Sequence, residues 1–254
     1  MTRQPPTAAD LLAATQDRLA ALPGLTGGFL TDPTIAPLHG GVLLRARFDT
    51  ARFDPALFAR LAVDRPARLD RAVDKRLAEY LAGRCLARLS QQALGFAPRP
   101  VPAAASRAPI WPPGLSGSIS HAAGQAACLL LPRDDATPGL DLESIAAGRA
   151  LEAIDKTALS DADRAHLAAL PDPAIAATLC FSAKESLFKA LFPTVGRFFG
   201  FDAAELAAPP GDGTLTLRLT RPLHGTLPPG RSFDLQYRVA PPHVLTWMVF
   251  TPAA

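Results

Sequence analysis

The chain has 254 residues, 48% of them hydrophobic, and a formal charge of +3 from 26 basic and 23 acidic side chains. That length suits two packed halves or one large α/β domain with ample core. The charge is mild and its arginines are scattered, which argues against a nucleic-acid footprint and fits a local anionic ligand better. No apolar run is long enough for a membrane span, and the opening MTRQPPTAADLL lacks the apolar stretch of a signal peptide. Cys85, Cys128 and Cys180 form no CxxC pair and each sits in an apolar pattern, so all three read as buried thiols in a reducing compartment. A cytoplasmic protein is expected, and the usage of alanine and of arginine in place of lysine points to a GC-rich bacterial coding sequence.

In chain order, residues 1–6 read as disordered, and Thr7 opens a helix with Leu11, Leu12, Thr15, Leu19 and Leu22 at helical spacing, which Pro23 and Gly24 should end. Residues 25–48 are rich in glycine and turn formers, and Val42, Leu43, Leu44 and Phe48 imply at least one strand. Asp54 and Pro55 start another helix. A longer helix is expected from Asp70 to Leu94, with Val73, Leu77, Leu81, Cys85 and Leu89 on its buried line and Gly95 at its end. Arg76, Tyr80 and Arg84 fall on a different line, where the two arginines stand about 12 Å apart. That span suits an extended polyphosphate and suits water equally well.

Six prolines between Pro98 and Pro113 rule out a regular element there, and after Arg99 the one charge in that loop is Arg107. Ser116 to Ser120 and Gln125 to Leu131 then pair as a hairpin whose turn holds His121, Ala122, Ala123 and Gly124. A histidine at a hairpin tip is more often an ordinary surface residue than an anion ligand. Here the small neighbours and the flanking Ser118 and Ser120 leave room for a bulky anion to approach the backbone. After the linker PRDDATP, the run GLDLE reads as a strand whose alternation sends Leu140 and Leu142 to the core and Asp141 and Glu143 to the other face. Carboxylates two apart on a strand are about 7 Å apart at Cα, near enough to share one Mg²⁺, or simply to face solvent at a sheet edge. Helices follow from Gly148 to Leu159 and, opened by a Ser160/Asp163 capping box, from Ser160 to Leu170. Thr214 to Thr220, Ser232 to Val239 and Val244 to Phe250 alternate like strands and should form an antiparallel meander.

The stretch Phe181 to Phe192, FSAKESLFKALF, says most. The chain has four lysines against twenty-two arginines, and two of the four, Lys184 and Lys189, lie in this one apolar helix-forming segment. Asp172 and Pro173 read as its N-cap and first helical residue, and Pro193 as its stop. Ala183, Leu187, Ala190 and Leu191 would form the buried stripe, turning Glu185 and Lys189, four apart, onto one opposite face. Alone, such a pair is an exposed salt bridge worth a few tenths of a kcal/mol, about 0.2–0.5.

Taken together and in order, RLAEYLAGR, APIWPPGLSGSISHA, GLDLES and FSAKESLFKALF resemble the 4'-phosphopantetheinyl transferases, most closely the enterobactin synthase component D type, over residues 40–200. The resemblance implies an α/β (α+β) fold of two pseudo-symmetric halves, residues 1–137 and 138–254, with coenzyme A in the cleft between them. It also implies the reaction: a serine hydroxyl of an apo carrier protein attacks the β-phosphate of coenzyme A, giving holo carrier and adenosine 3',5'-bisphosphate. Matched by position, Asp141, Glu143 and Glu185 would hold Mg²⁺ or Mn²⁺, and Asp141, Glu185 and Lys189 would be catalytic. His121 and Ser120 would hold the adenosine 3'-phosphate, with Arg76, Arg84, Arg107, Lys184 and Lys189 as further coenzyme A contacts. Ala122 departs from the small polar or thiol residue often found after the histidine, and Leu140 and Leu142 stand where isoleucines are usual.

The residue types suit the chemistry. Phosphoryl-type transfer is mainly positioning and electrostatics, which Mg²⁺, Lys189 and arginines would supply, and Glu185 is the candidate base for the serine proton. A carboxylate bound directly to Mg²⁺ is a poor base, so these two roles of Glu185 compete. A monomer is expected, with a siderophore or other nonribosomal-peptide or polyketide carrier as partner and neither nucleic acid nor a transmembrane segment. The alternatives are a Mg²⁺-dependent hydrolase of coenzyme A or nucleotides, which would need no protein acceptor, and a non-catalytic carrier-binding protein of the same fold.

Overall fold

The computed structural model describes residues 8–252, with side chains from residue 15 onward. The chain divides between Asp134 and Asp135 into two compact units. The first contains α1 (Ala8–Leu25), β1 (Leu30–Leu38), β2 (Gly41–Phe48), α2 (Ala56–Arg60), α3 (Asp74–Ala93), β3 (Ser116–Ala122) and β4 (Gln125–Leu131). Its four strands form an antiparallel sheet in the order β1-β2-β4-β3, and α3 packs on β2 and β4. The expectations of disorder over residues 1–6 and of a cap at Thr7 lie outside the described residues. The helix itself runs two residues past Pro23, whose missing N–H falls in the last turn.

The long arginine-bearing helix begins at Asp74, four residues later than expected. Ala67–Leu69 forms a separate 3₁₀ turn, and Val73 keeps extended backbone (φ −67°, ψ 155°) and is 71% exposed, so it is a cap and not a member of the buried stripe. Leu77, Leu81 and Cys85 are buried as expected, joining Phe29, Leu44, Leu86 and Leu130 in one cluster. Fully burying such a leucine stabilises by roughly 1.5–3 kcal/mol, and truncating Leu81 to alanine should cost about 2–5 kcal/mol.

The second unit contains β5 (Thr137–Ser144), α4 (Arg149–Ala158), α5 (Asp161–Leu167), α6 (Pro173–Val195), β6 (Ala204–Leu206), β7 (Thr214–Leu219), β8 (Ser232–Ala240) and β9 (His243–Phe250). The expected C-terminal meander is present, extended by the short β6 at one edge and by β5 beside β9 at the other, in the order β5-β9-β8-β7-β6. The mixed α/β class holds, with an antiparallel sheet and one long helix on it in each unit.

Asp172 caps α6 through Ala174 and Ile175 N–H groups, Pro173 fills the first position, and the helix ends at Gly196, three residues beyond the expected stop at Pro193. The helix packs on β5 and β9, and Gly139 sets how closely: a Cβ there would lie 1.9 Å from the Ser186 carbonyl oxygen, so any other residue would push α6 off the strand. Leu179, Ala183, Leu187, Ala190 and Leu191 of the helix meet Val244, Met248 and Phe250 of β9 in the core of this unit.

Candidate active site

The strand β5 alternates as expected, but the acids occupy the covered face. Asp141 lies under α6 and is 2% exposed, while Leu140 and Leu142 are buried on the opposite face and take no part in the core cluster below the helix. The leucines are thus buried and the acids face the other way, as expected; what the alternation did not show is that α6 covers the acids' face as well. The physical reason lies in α6, which presents Ser182, Ser186 and Lys189 where a uniformly apolar helix would have excluded a carboxylate.

Asp141 is held on both oxygens. Lys189 Nζ donates to Oδ1 at 2.7 Å and to the Leu140 carbonyl at 3.0 Å, and Ser182 Oγ donates to Oδ2 at 2.8 Å. Thr246, directly opposite Asp141 on β9, lies 3.0 Å from Ser182 Oγ and 2.7 Å from Ser186 Oγ through its own hydroxyl. Glu143 and Glu185 are half-buried beside this group. Burial, then the neighbouring Asp141, push the Glu143 carboxyl up to about 7; Lys189 pulls the other way and Glu185 adds a little. Glu185 is also raised, chiefly by burial, with Lys189 opposing and Asp141 reinforcing. The aromatic rings of Phe188, Phe198, Phe199 and Phe201, with Leu187, line a cavity that Glu185 also borders.

Among the described residues, no three His, Cys, Asp or Glu side chains are grouped closely enough to surround a metal ion. The donor set still fits Mg²⁺, which prefers carboxylate oxygens and uses one or two of them alongside phosphate and water. Asp141, Glu143 and Glu185 crowd negative charge into a half-buried place, and the raised carboxyl of Glu143 registers that crowding.

The Lys184 side chain turns away from the acids into the protein, 3% exposed, and its ammonium donates to Asp163 at 2.6 Å and to the Ala158 carbonyl at 2.7 Å. Asp163 completes the predicted capping box with Ser160 and also accepts from Leu206 N–H at 2.7 Å. Lys184 also borders the aromatic cavity beside Glu185, but its ammonium is already committed to Asp163, the supporting role that the sequence left open beside a coenzyme A contact.

In the first unit, β3 continues through His121 to Ala122, and the turn is Ala123-Gly124, both left-handed (φ 39° and 77°), which suits a two-residue hairpin loop. His121 is thus a strand residue opposite Ala126. Its ring faces α3, where Arg76 Nη1 lies 3.2 Å from Nε2 and Glu79 Oε2 lies 3.9 Å from Nδ1 and 3.4 Å from the same Arg76 nitrogen. Ser120, one residue earlier, is buried, and strand alternation puts its side chain on the other face of β3 from the imidazole.

Arg84 lies on the same helical line as Arg76, with its guanidinium 4.8 Å from the centre of the Tyr80 ring; burial lowers its pKa, and the Tyr80 contact partly offsets this. Arg107 stands exposed at a tight turn, with φ +71° and its N–H bonded to the Ala104 carbonyl. The structure therefore brings together Arg76, Glu79 and His121, and separately Asp141, Glu143, Glu185 and Lys189. Sequence reasoning missed Glu79, Ser182, Ser186 and Thr246. Two serines four apart in an apolar helix were a usable signal; Thr246 needed the strand pairing.

Residues 65–131 match the family model described as the 4'-phosphopantetheinyl transferase N-terminal domain, and residues 137–233 match that of the 4'-phosphopantetheinyl transferase superfamily. The chain is 37% identical over 192 residues to the 4'-phosphopantetheinyl transferase Svp of Streptomyces mobaraensis, covering 74% of this chain and 75% of that one. It is 31% identical over 182 residues to the 4'-phosphopantetheinyl transferase PptT of Mycobacterium tuberculosis (68% and 78% covered). Enterobactin synthase component D of Salmonella typhi is 38% identical over 144 residues, covering 56% of this chain and 58% of that protein.

Proposed function

The chain belongs to the 4'-phosphopantetheinyl transferase superfamily, and from that premise we propose how its residues divide the work of the transfer. The enzyme moves the 4'-phosphopantetheine arm of coenzyme A to a carrier protein. The hydrolase and the non-catalytic binding protein find no support in its relatives. The observation that carries our assignment is the buried Asp141, bonded to Lys189 and set beside Glu143 and Glu185, within the segment that matches the superfamily.

In this reading Asp141 and Glu143 would hold a divalent ion, Mg²⁺ or Mn²⁺, directly, and Glu185 would face it through water, which leaves its carboxylate able to act as a base. When bound, that ion neutralises charge on the pyrophosphate of coenzyme A and polarises the phosphoryl group. Glu185 takes the proton from the carrier serine hydroxyl, whose oxygen forms the new bond to the β-phosphorus as the bond to the adenosine bisphosphate breaks. Its raised carboxyl favours that role. Lys189 leaves part of its contact with Asp141 to balance the departing phosphate. His121 and Arg76 bind the 3'-phosphate, with the Ser120 backbone beside them, and Arg84 and Arg107 are the less constrained contacts. The aromatic cavity bordering Glu185 suits the uncharged part of the arm.

We assign the enzyme to the cytoplasm as a monomer, supported by three buried free cysteines whose thiols burial raises, Cys85 and Cys128 to about 12. Among the described residues no helix is long and apolar enough to cross a membrane. The likeness to enterobactin synthase component D supports a carrier of siderophore or related nonribosomal-peptide assembly. Incubation with coenzyme A, Mg²⁺ and several apo carriers, followed by intact-mass measurement, tests the reading. One arm per carrier should be added with Mg²⁺ and none in excess chelator; unchanged transfer in chelator would overturn the metal assignment.

A further inference from the structure

The two oxygens of Asp141 meet two different kinds of partner. Oδ1 takes the Lys189 ammonium at 2.7 Å, and Oδ2 takes the Ser182 hydroxyl at 2.8 Å. Behind Ser182 the bonds continue: Thr246 Oγ1 lies 3.0 Å from Ser182 Oγ and 2.7 Å from Ser186 Oγ. Thr246 also reaches the Ser182 carbonyl at 2.9 Å, and Ser186 reaches the Thr246 carbonyl at 3.0 Å. Ser182, Ser186 and Thr246 are all 0% exposed, so water does not compete for these groups.

Counting protons fixes the direction of the bond from Ser182 to Asp141. An ionised carboxylate can only accept, so the Ser182 proton must go to Oδ2. Thr246 and Ser186 then either donate along the chain toward Ser182 or donate to the two carbonyls. Neither arrangement turns the Ser182 proton away from Asp141. The elements conspire to the same end: Thr246 is the cross-strand partner of Asp141, Ser182 and Ser186 are one turn apart on α6, and Gly139 admits the helix backbone that carries them.

We propose that the Ser182, Thr246 and Ser186 hydroxyls form a positioning chain that pins Oδ2 of Asp141 and thereby selects Oδ1 as the oxygen offered to a cation. In this structure that cation is the ammonium of Lys189. The inference rests on the reading of Asp141 as a metal ligand, because it is the same Oδ1 that a divalent ion would take. Ser182, Thr246 and Ser186 touch neither substrate nor reacting atoms; they act through Asp141.

The test is Mn²⁺ binding to the enzyme without coenzyme A, followed by electron paramagnetic resonance, with thermal unfolding of each variant measured alongside. Losing the partner behind a metal ligand typically weakens binding about 10–100-fold. Ser182→Ala should show that loss, Thr246→Val a smaller one and Ser186→Ala the smallest, following distance along the chain. Thr246→Val keeps the branched shape the strand prefers, so it supplies a folded case should Ser182→Ala not fold. Wild-type Mn²⁺ affinity in the folded variants, with Asp141→Asn binding weakly, would overturn the positioning chain while leaving the metal reading intact. No Mn²⁺ binding by the wild type even when coenzyme A is added to supply phosphate oxygens, or equal binding by Asp141→Asn, would instead overturn the metal reading and the chain with it.

Discussion

Around Asp141 the carboxylate, the two serines and Thr246 are buried, Lys189 is part-buried, and all are bonded at 2.7–3.0 Å, whereas Arg76, Glu79 and His121 are partly exposed and meet at 3.2–3.9 Å. The first arrangement is organised before any substrate arrives, as a group that must act on a developing charge needs to be. The second is loose enough to rearrange around an incoming phosphate. In the proposed reading, chemistry falls to the second unit and recognition of the 3'-phosphate to the first. Variants in the former should lower kcat whatever the ligand, and variants in the latter should act only on ligands that carry that phosphate.

The largest effect is expected from Glu185→Gln, which keeps the shape and removes the base: turnover should fall ~10²–10⁴-fold while coenzyme A still binds. Calorimetric binding with single-turnover rates would check this, and a near-normal kcat would move the base elsewhere. Next comes the buried pair behind the same helix. Lys184→Met leaves Asp163 buried and without its cation, which should cost about 3–5 kcal/mol in denaturant unfolding. Burial alone would raise the Asp163 carboxyl, but the bonds from Lys184 and from Ser160 and Leu206 N–H outweigh it and hold it low. A depressed carboxyl contributes stability that is present above its unfolded value and lost as pH falls through its folded one. The gap between wild type and Lys184→Met should therefore be widest near neutrality and narrow on acidification; a gap independent of pH would leave Asp163 out of the account.

How far these sites could be read in the sequence follows from the same comparison. Period-two and period-3.6 patterns give the face of a residue along its own element, and so Asp141 could be paired with Glu143 and Glu185 with Lys189, while the family resemblance alone joined the two pairs. The same patterns say nothing about whether a second element covers the other face, so the burial of Asp141 under α6 was not foreseen. The role of Lys184 stayed open because the partner that claims its charge, Asp163, lies twenty-one residues away on another helix. For His121 the error was a boundary: ending β3 two residues early put the histidine in the turn, whereas it is a strand residue opposite Ala126. Pro23 and Pro193 were read as stops because a proline removes an i→i−4 bond anywhere beyond the first turn, yet both helices run two residues past theirs.

The smallest effect should be electrostatic steering. Carrier proteins of acidic surface should show a KM that rises with salt, given the +3 balance of the chain, and a KM independent of salt across several carriers would remove that contribution.

The division of labour itself is tested most directly by exchanging the ligand. Coenzyme A and dephospho-coenzyme A differ by the 3'-phosphate alone, so kcat/KM for both, measured on wild type, His121→Ala and Glu185→Gln, isolates each region's dependence on that group. A hydrogen bond to a charged group is worth roughly 1.5–3 kcal/mol, so His121→Ala should lose about 10- to 150-fold with coenzyme A and almost nothing with the dephospho form. Glu185→Gln should lose the same large factor with both. Equal losses for His121→Ala on the two ligands would contradict the account, making the histidine a structural residue of the hairpin and leaving the first unit without its proposed role.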